Sequence, residues 1–184
     1  MHIIKAETYR QVPWKNGGGT TAEIAVFPPD AMMADFDWRL SMADVASDGP
    51  FSTFPGIDRT LTLLEGKGMD LAVEGQGDVR LDDQTPPFAF PGDVPVMARL
   101  VEGAIRDLNV MTRRERFVHT VEAIALDGHR DVSVEGGTAL LFCREGRAEV
   151  NGAALGRFDT LVSGAGTLHL SGQGRFCLVL LQEV

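Results

Sequence analysis

The residues with chemical potential stand in polar, turn-rich segments confined to the first 111 positions. These read Pro13-Trp14-Lys15-Asn16-Gly17-Gly18-Gly19-Thr20, Asp37-Trp38-Arg39-Leu40-Ser41, Asp48-Gly49-Pro50-Phe51-Ser52-Thr53-Phe54-Pro55-Gly56-Ile57-Asp58-Arg59 and Asp107-Leu108-Asn109-Val110-Met111. Each sets one or two hydrogen-bonding side chains in an aromatic or Gly/Pro frame. Apolar walls with a few placed polar groups are what grips a small polar molecule.

Strand alternation puts Arg39 and Ser41 on one face, opposite Leu40 and Met42. If that face lines a barrel, a buried arginine there needs an anionic partner. Its guanidinium fork fits a ligand carboxylate. Arg59, next to Asp58, poses the same question. Two readings stand for each arginine: a ligand carboxylate, or an internal ion pair (Asp58 with Arg59, or Arg39 with Asp37 or Asp48). Asp107, Asn109 and Met111 share a face of another strand, where an amide and a thioether suit recognition. Alternatively, the Asn109 amide satisfies loop backbone. Gly17-Gly18-Gly19 lacks the Gly-Lys-Ser/Thr ending of a phosphate loop, and no helical pattern follows it. It reads as a loop at positive φ or in close approach, with Trp14, Lys15 and Asn16 at a pocket mouth.

Other chemistries find little support. The four histidines, His2, His119, His129 and His169, form no His-x-His pair and no three-ligand set of the kind a catalytic metal needs. The expectation is a protein without metal or other cofactor. No serine sits in a Gly-x-Ser-x-Gly frame. Net charge is −9, from 17 basic and 26 acidic residues, which disfavours nucleic acid and anionic membrane as partners. The N-terminus lacks the basic and apolar regions of a signal peptide. No apolar run approaches the ~18 residues of a membrane span, so the reading is cytoplasmic. Cys143 and Cys177 lie in apolar runs and read as buried free thiols.

The elements that must position these residues are strands. Short apolar or alternating runs, such as Thr21 to Phe27, Arg39 to Val45, Thr60 to Leu64 and Ile105 to Met111, are separated by Gly, Pro or Asp. The same rhythm continues from Thr120 to Leu181, and no amphipathic stripe of helical period intervenes. Many short strands with regular turns imply an all-β sandwich or barrel. An internal echo adds to this. Leu63-Leu64 through Val73-Glu74-Gly75 aligns with Leu140-Leu141 through Val150-Asn151-Gly152. It predicts two related barrels, linked through the charged stretch near Thr112 to Thr120.

Taken in order, these motifs resemble the HutD/Ves family of bicupin proteins. The match runs from Pro13 to Thr20, through Trp38-Arg39-Leu40-Ser41, Asp48 to Ser52 and Phe54 to Arg59. It continues through Leu63 to Gly66, Phe88-Phe90-Gly92-Asp93 and Asp107 to Met111. The resemblance implies an all-β bicupin, two double-stranded β-helix (jelly-roll) barrels in one chain, without metal-binding histidines. It also implies a link to bacterial histidine utilisation, with N-formylglutamate or urocanate as ligand, or to a stress-related role.

The leading expectation is therefore binding of a small anionic metabolite in an N-terminal barrel, residues 1–112. Arg39 and Arg59 hold carboxylate, Lys15 adds charge at the mouth, and Asn16, Ser41 and Asn109 form hydrogen bonds. Trp14, Phe54 and Met111 wall the site. Residues 113–184 form a mainly structural second barrel, and terminal strands can exchange between the two. One alternative is a metal-independent enzyme of isomerase or epimerase type with Lys15 or Asp58 as acid or base. Another is an interaction module, with a second copy of the chain as a candidate partner.

Overall fold

The computed structural model describes residues 1–14 and 17–184. It is built from strands: β1 (His2–Ile4), β2 (Arg10–Pro13), β3 (Gly19–Phe27), β4 (Trp38–Val45), β5 (Gly49–Pro50), β6 (Ile57–Glu65), β7 (Met69–Val73), β8 (Gly77–Leu81), β9 (Phe88–Pro91), β10 (Val96–Leu100), β11 (Ile105–Arg113), β12 (Phe117–Val134), β13 (Thr138–Val150), β14 (Ala153–Leu155), β15 (Thr160–Ser163) and β16 (Gly166–Glu183). A short 3-10 turn, Ala6–Thr8, joins β1 to β2. Among the described residues there is no α-helix, as the missing helical stripe predicts. No helix is long and apolar enough to cross a membrane.

The chain divides into two compact units, Arg10–Arg116 and a second made of Met1–Tyr9 with Phe117–Val184. In the first, a six-stranded sheet runs β2-β3-β4-β11-β6-β9 and a four-stranded sheet β5-β10-β7-β8. One apolar cluster draws on both sheets, with Leu61, Leu63 and Ile105 from the first and Met69, Leu71 and Val96 from the second. These side chains alternate along their strands, so one face of each sheet supplies the interior.

In the second unit a six-stranded sheet runs β1-β15-β13-β16-β12, with β14 on β13. Its three long strands fold over at a line of glycines, where Gly128 pairs with Gly172 and Gly146 with Gly174. Residues on either side of the fold, such as Leu126 and Val132, or Phe176 and Leu170, then meet in one core. β1 pairs with β15 (Ile3 opposite Leu161), so the first nine residues group with Phe117–Val184. Cys143 and Cys177 are both buried and free.

Asp159 ties the N-terminal segment down. Its carboxylate accepts from Lys5 Nζ at 2.7 Å, Ala6 N at 3.0 Å and Gly156 N at 3.0 Å. Burial opposes its ionisation, but these donors prevail and hold it below the usual carboxylate range. A carboxylate whose folded pKa is depressed stabilises the fold above its unfolded pKa, about 4, and that contribution is lost as the pH falls through the folded value. Asp159→Ala is therefore expected to cost about 2–4 kcal/mol at neutral pH and less at about pH 2. Denaturant unfolding at the two pH values checks this, and an equal cost at both would refute the assignment.

Candidate functional site

The interior of the Arg10–Arg116 unit contains charge. Of the buried polar and charged residues, all but Asp159 and Thr160 fall within this unit. Three adjacent strands bring the site together through their register. Asn109 on β11 pairs with Ser41 on β4 and with Leu61 on β6, and Met111 pairs with Arg39 and Arg59. Across β4, Ser41 lies opposite Glu23 of β3. Arg59 faces Phe90 of β9. Two bulges flank the site, an extra Ile24 in β3 and an extra Leu64 in β6. Bulges re-aim side chains next to them. Here they adjoin Glu23 and the pairing of Asp107 with Leu63.

The two arginines differ. Arg39 is 7% exposed. Its Nε donates to Glu23 Oε2 at 2.9 Å and its Nη1 to Ser41 Oγ at 3.1 Å. Glu23 also receives Arg10 at 2.8 Å. Arg39 is thus neutralised by a residue that the sequence reading did not consider. Its weighed partners are occupied elsewhere: Asp37 near Arg113 and Arg116, and Asp48 at the Leu100 amide.

Arg59 is 6% exposed, and no carboxylate of a described residue pairs with it. Its hydrogen bonds are long, 3.5 Å to Asn109 Oδ1 and 3.5 Å to the Ser52 carbonyl. Three phenyl rings surround the guanidinium, with centroids 5.3 Å (Phe51), 5.6 Å (Phe54) and 5.2 Å (Phe90) from Cζ. Such rings stabilise a desolvated cation without neutralising it. Burial pulls its pKa down to about 10, with Asp107 opposing and Arg39 adding to the fall. The stem runs past Gly92, where a Cβ would lie 3.1 Å from Arg59 Cδ and 2.8 Å from the Ile57 carbonyl.

Asp107 completes the interior. It is 2% exposed and accepts no hydrogen bond among the described residues. Burial pushes its carboxyl up to about 7, against the pull of Arg59 and with the help of Asp44.

The remaining expected site residues are distributed as follows. Trp14 is half-buried, packs on the core of the unit and donates Nε1 to Thr21 Oγ1 at 2.7 Å. Met111 is buried with Phe36 and Ile57, and Phe54 packs against them. Lys15 and Asn16 lie outside the described residues. Asp58, the acid–base candidate, is 41% exposed and paired with Arg114 at 2.7 Å, so alternation carries it away from Arg59. That role has no geometric support. Glu23 bonds Arg39, Phe51 and Phe90 stand over Arg59, and the charge of Asp107 reaches Arg59; the motif reading did not single these four out as site residues. For Asp107 the signal lay in its alternation with Asn109 and Met111.

Among the described residues, no three His, Cys, Asp or Glu side chains are grouped to hold a metal ion. Neither Arg39 nor Arg59 lines the two surface depressions, one of about 460 Å³ lined by Lys5, Arg147 and Asp159, the other of about 470 Å³ lined by Thr53, Met97 and Phe51, whose ring also stands over Arg59.

This architecture is cupin-like. A cupin 2 conserved barrel domain protein from Leptotrichia buccalis superposes with a TM-score of 0.57 at 11% identity, covering 98% of this chain and 99% of that one. The chain belongs to the HutD family, whose model matches residues 6–178. It is 38% identical, over 98% of its length and 97% of the relative's, to an uncharacterized 21.2 kDa protein in the hutC 3' region of Pseudomonas putida. It is similar to the structure of HutD from Pseudomonas fluorescens SBW25, solved in a formate condition, with a TM-score of 0.87 and 37% identity over 100% of this chain and 98% of that one. Similarity to Protein Ves of Citrobacter koseri reaches 47% identity over 56% of this chain and 53% of that protein.

Proposed function

We propose that this protein binds a small metabolite through its carboxylate in the interior of the Arg10–Arg116 unit. The observation that carries the reading is Arg59: a buried guanidinium boxed by aromatic rings, with long contacts and no carboxylate partner among the described residues. A buried cation in that condition is costly unless an anion visits it. Arg39, bonded to Glu23, serves as scaffold, and Ser41 and Asn109 offer hydrogen bonds beside the anchor. Phe51, Phe54 and Phe90 form the apolar wall. The long strands of the second unit instead supply Ile124, Leu141, Cys143, Phe176 and Leu178 to an apolar core, which supports a structural role there.

Family membership bears on the ligand's identity. A relative in a hutC 3' region favours an acid from histidine utilisation, N-formylglutamate or urocanate, bound by a sensor or regulator. Thermal unfolding of the full chain with N-formylglutamate, urocanate and glutamate tests it. A true ligand at 100 times its Kd stabilises by ~2.7 kcal/mol, a rise of roughly 5–10 °C at this chain length. Absence of a shift with all three acids would end the proposal.

A further inference from the structure

An anion reaching Arg59 enters an interior whose described charges already balance. Glu23 of β3 and Arg39 of β4 are joined as an ion pair. Arg59 of β6 and Asp107 of β11 remain, opposite in sign, 6% and 2% exposed, and not in ion-pair contact. Asp44, paired with Arg106 at 2.6 Å, is the other acid whose field reaches Asp107. The facing sheet contributes the apolar Met69, Leu71, Val73, Val96 and Ala98.

We infer that the interior takes up its carboxylate together with one proton, received by Asp107, so that the ligand is held between a guanidinium and a carboxylic acid. The inference rests on the carboxylate-binding reading above and deepens it. Once a ligand anion occupies Arg59, the cation that favours ionised Asp107 is neutralised and a second negative charge stands in the same buried space. Two carboxylates sharing such a site do not both stay ionised. The balance is simple: ligand carboxylate plus one solvent proton plus Asp107 carboxylate gives bound carboxylate and Asp107 carboxylic acid, with no ligand bond broken. Asn109, two residues from Asp107 on the same face of β11, accepts from Arg59 Nε at 3.5 Å, so the guanidinium reaches toward Asp107 along that face. No described residue donates a hydrogen bond that would hold Asp107 in its ionised form, and burial already brings it to about 7 before any ligand arrives.

Isothermal titration of the full chain with N-formylglutamate, and with acetate as a plain carboxylate, tests this. Heats measured at about pH 8 in phosphate and in Tris, which differ in ionisation enthalpy, give the proton count. Uptake near one proton is expected, with affinity falling about tenfold per pH unit above neutrality. Asp107→Asn is expected to bind with neither buffer dependence nor pH slope. Wild-type binding without proton uptake overturns the inference alone. If neither acid binds at any pH, the carboxylate reading fails and takes this one with it. Should the variant not fold, the buffer dependence of the wild type decides by itself.

Discussion

Replacing Arg59 by methionine is expected to weaken N-formylglutamate or urocanate binding at least a hundredfold while leaving the fold as stable as before. The loss corresponds to about 2.7 kcal/mol, within what a charge-assisted pair of hydrogen bonds supplies in a dry site. Stability is expected to hold because the wild-type guanidinium is desolvated, makes only 3.5 Å hydrogen bonds, and has no carboxylate partner among the described residues. Methionine keeps the apolar stem that Phe51, Phe54 and Phe90 enclose. Asp107, deprived of the cation, adapts by holding its proton. Arg39→Met should behave in the opposite way. It removes the partner of Glu23 at 2.9 Å and the donor to Ser41, so it is expected to cost about 1–3 kcal/mol of stability. Its direct effect on affinity is expected to be smaller, because a cation already neutralised is a poor anchor. Parallel melts and titrations of the two variants check the contrast. Undiminished affinity in Arg59→Met moves the anchor elsewhere and removes the basis of the proposed site.

The difference between these arginines was invisible in the sequence, and the reason is long-range register. Alternation alone grouped Arg39 with Ser41, and Asn109 with Met111, each pair on one face of its strand, and left open whether that face was inward. It could not say that β3 carries a bulge at Ile24 that leaves Glu23 opposite Ser41. The ion pair with Glu23 spans a strand pairing, whereas the sequence reading looked for partners close along the chain, at Asp37, Asp48 and Asp58. Asp58 illustrates the cost of that habit: adjacency to Arg59 puts it on the opposite face, where it meets Arg114. The all-β architecture was legible because its signals are local, a turn residue every few positions and the period of two. The aromatic box was half legible. All three phenylalanines stood in recognised motifs, but only Phe54 was read as a wall, and the meeting of Phe90 with Arg59 depends on β6 pairing with β9.

The fold of the second unit makes a prediction of comparable size. Gly174→Ala is expected to destabilise the protein by about 3–5 kcal/mol, while Gly128→Ala in the same bend costs about 1–2 kcal/mol. Both glycines take positive φ, 151° at Gly174 and 93° at Gly128. An L side chain is strained at each for that reason alone. They differ in surroundings. A Cβ on Gly128 meets nothing within 4 Å, whereas one on Gly174 runs into the Glu145 carbonyl and lies 3.0 Å from Gly146 Cα. Both of those obstacles are backbone of the neighbouring strand, where Gly146 pairs with Gly174 and Glu145 with Arg175. Relief therefore requires β13 and β16 to separate where they turn over the core. That separation would draw Cys143 and Phe176, paired two positions along β16, out of the cluster they share with Leu141 and Leu178. The larger loss corresponds to a fall in Tm of roughly 10 °C for a chain of this length. Denaturant unfolding of both variants measures the difference, and equal costs would mean that φ alone, not the close approach of β13, sets the requirement for glycine.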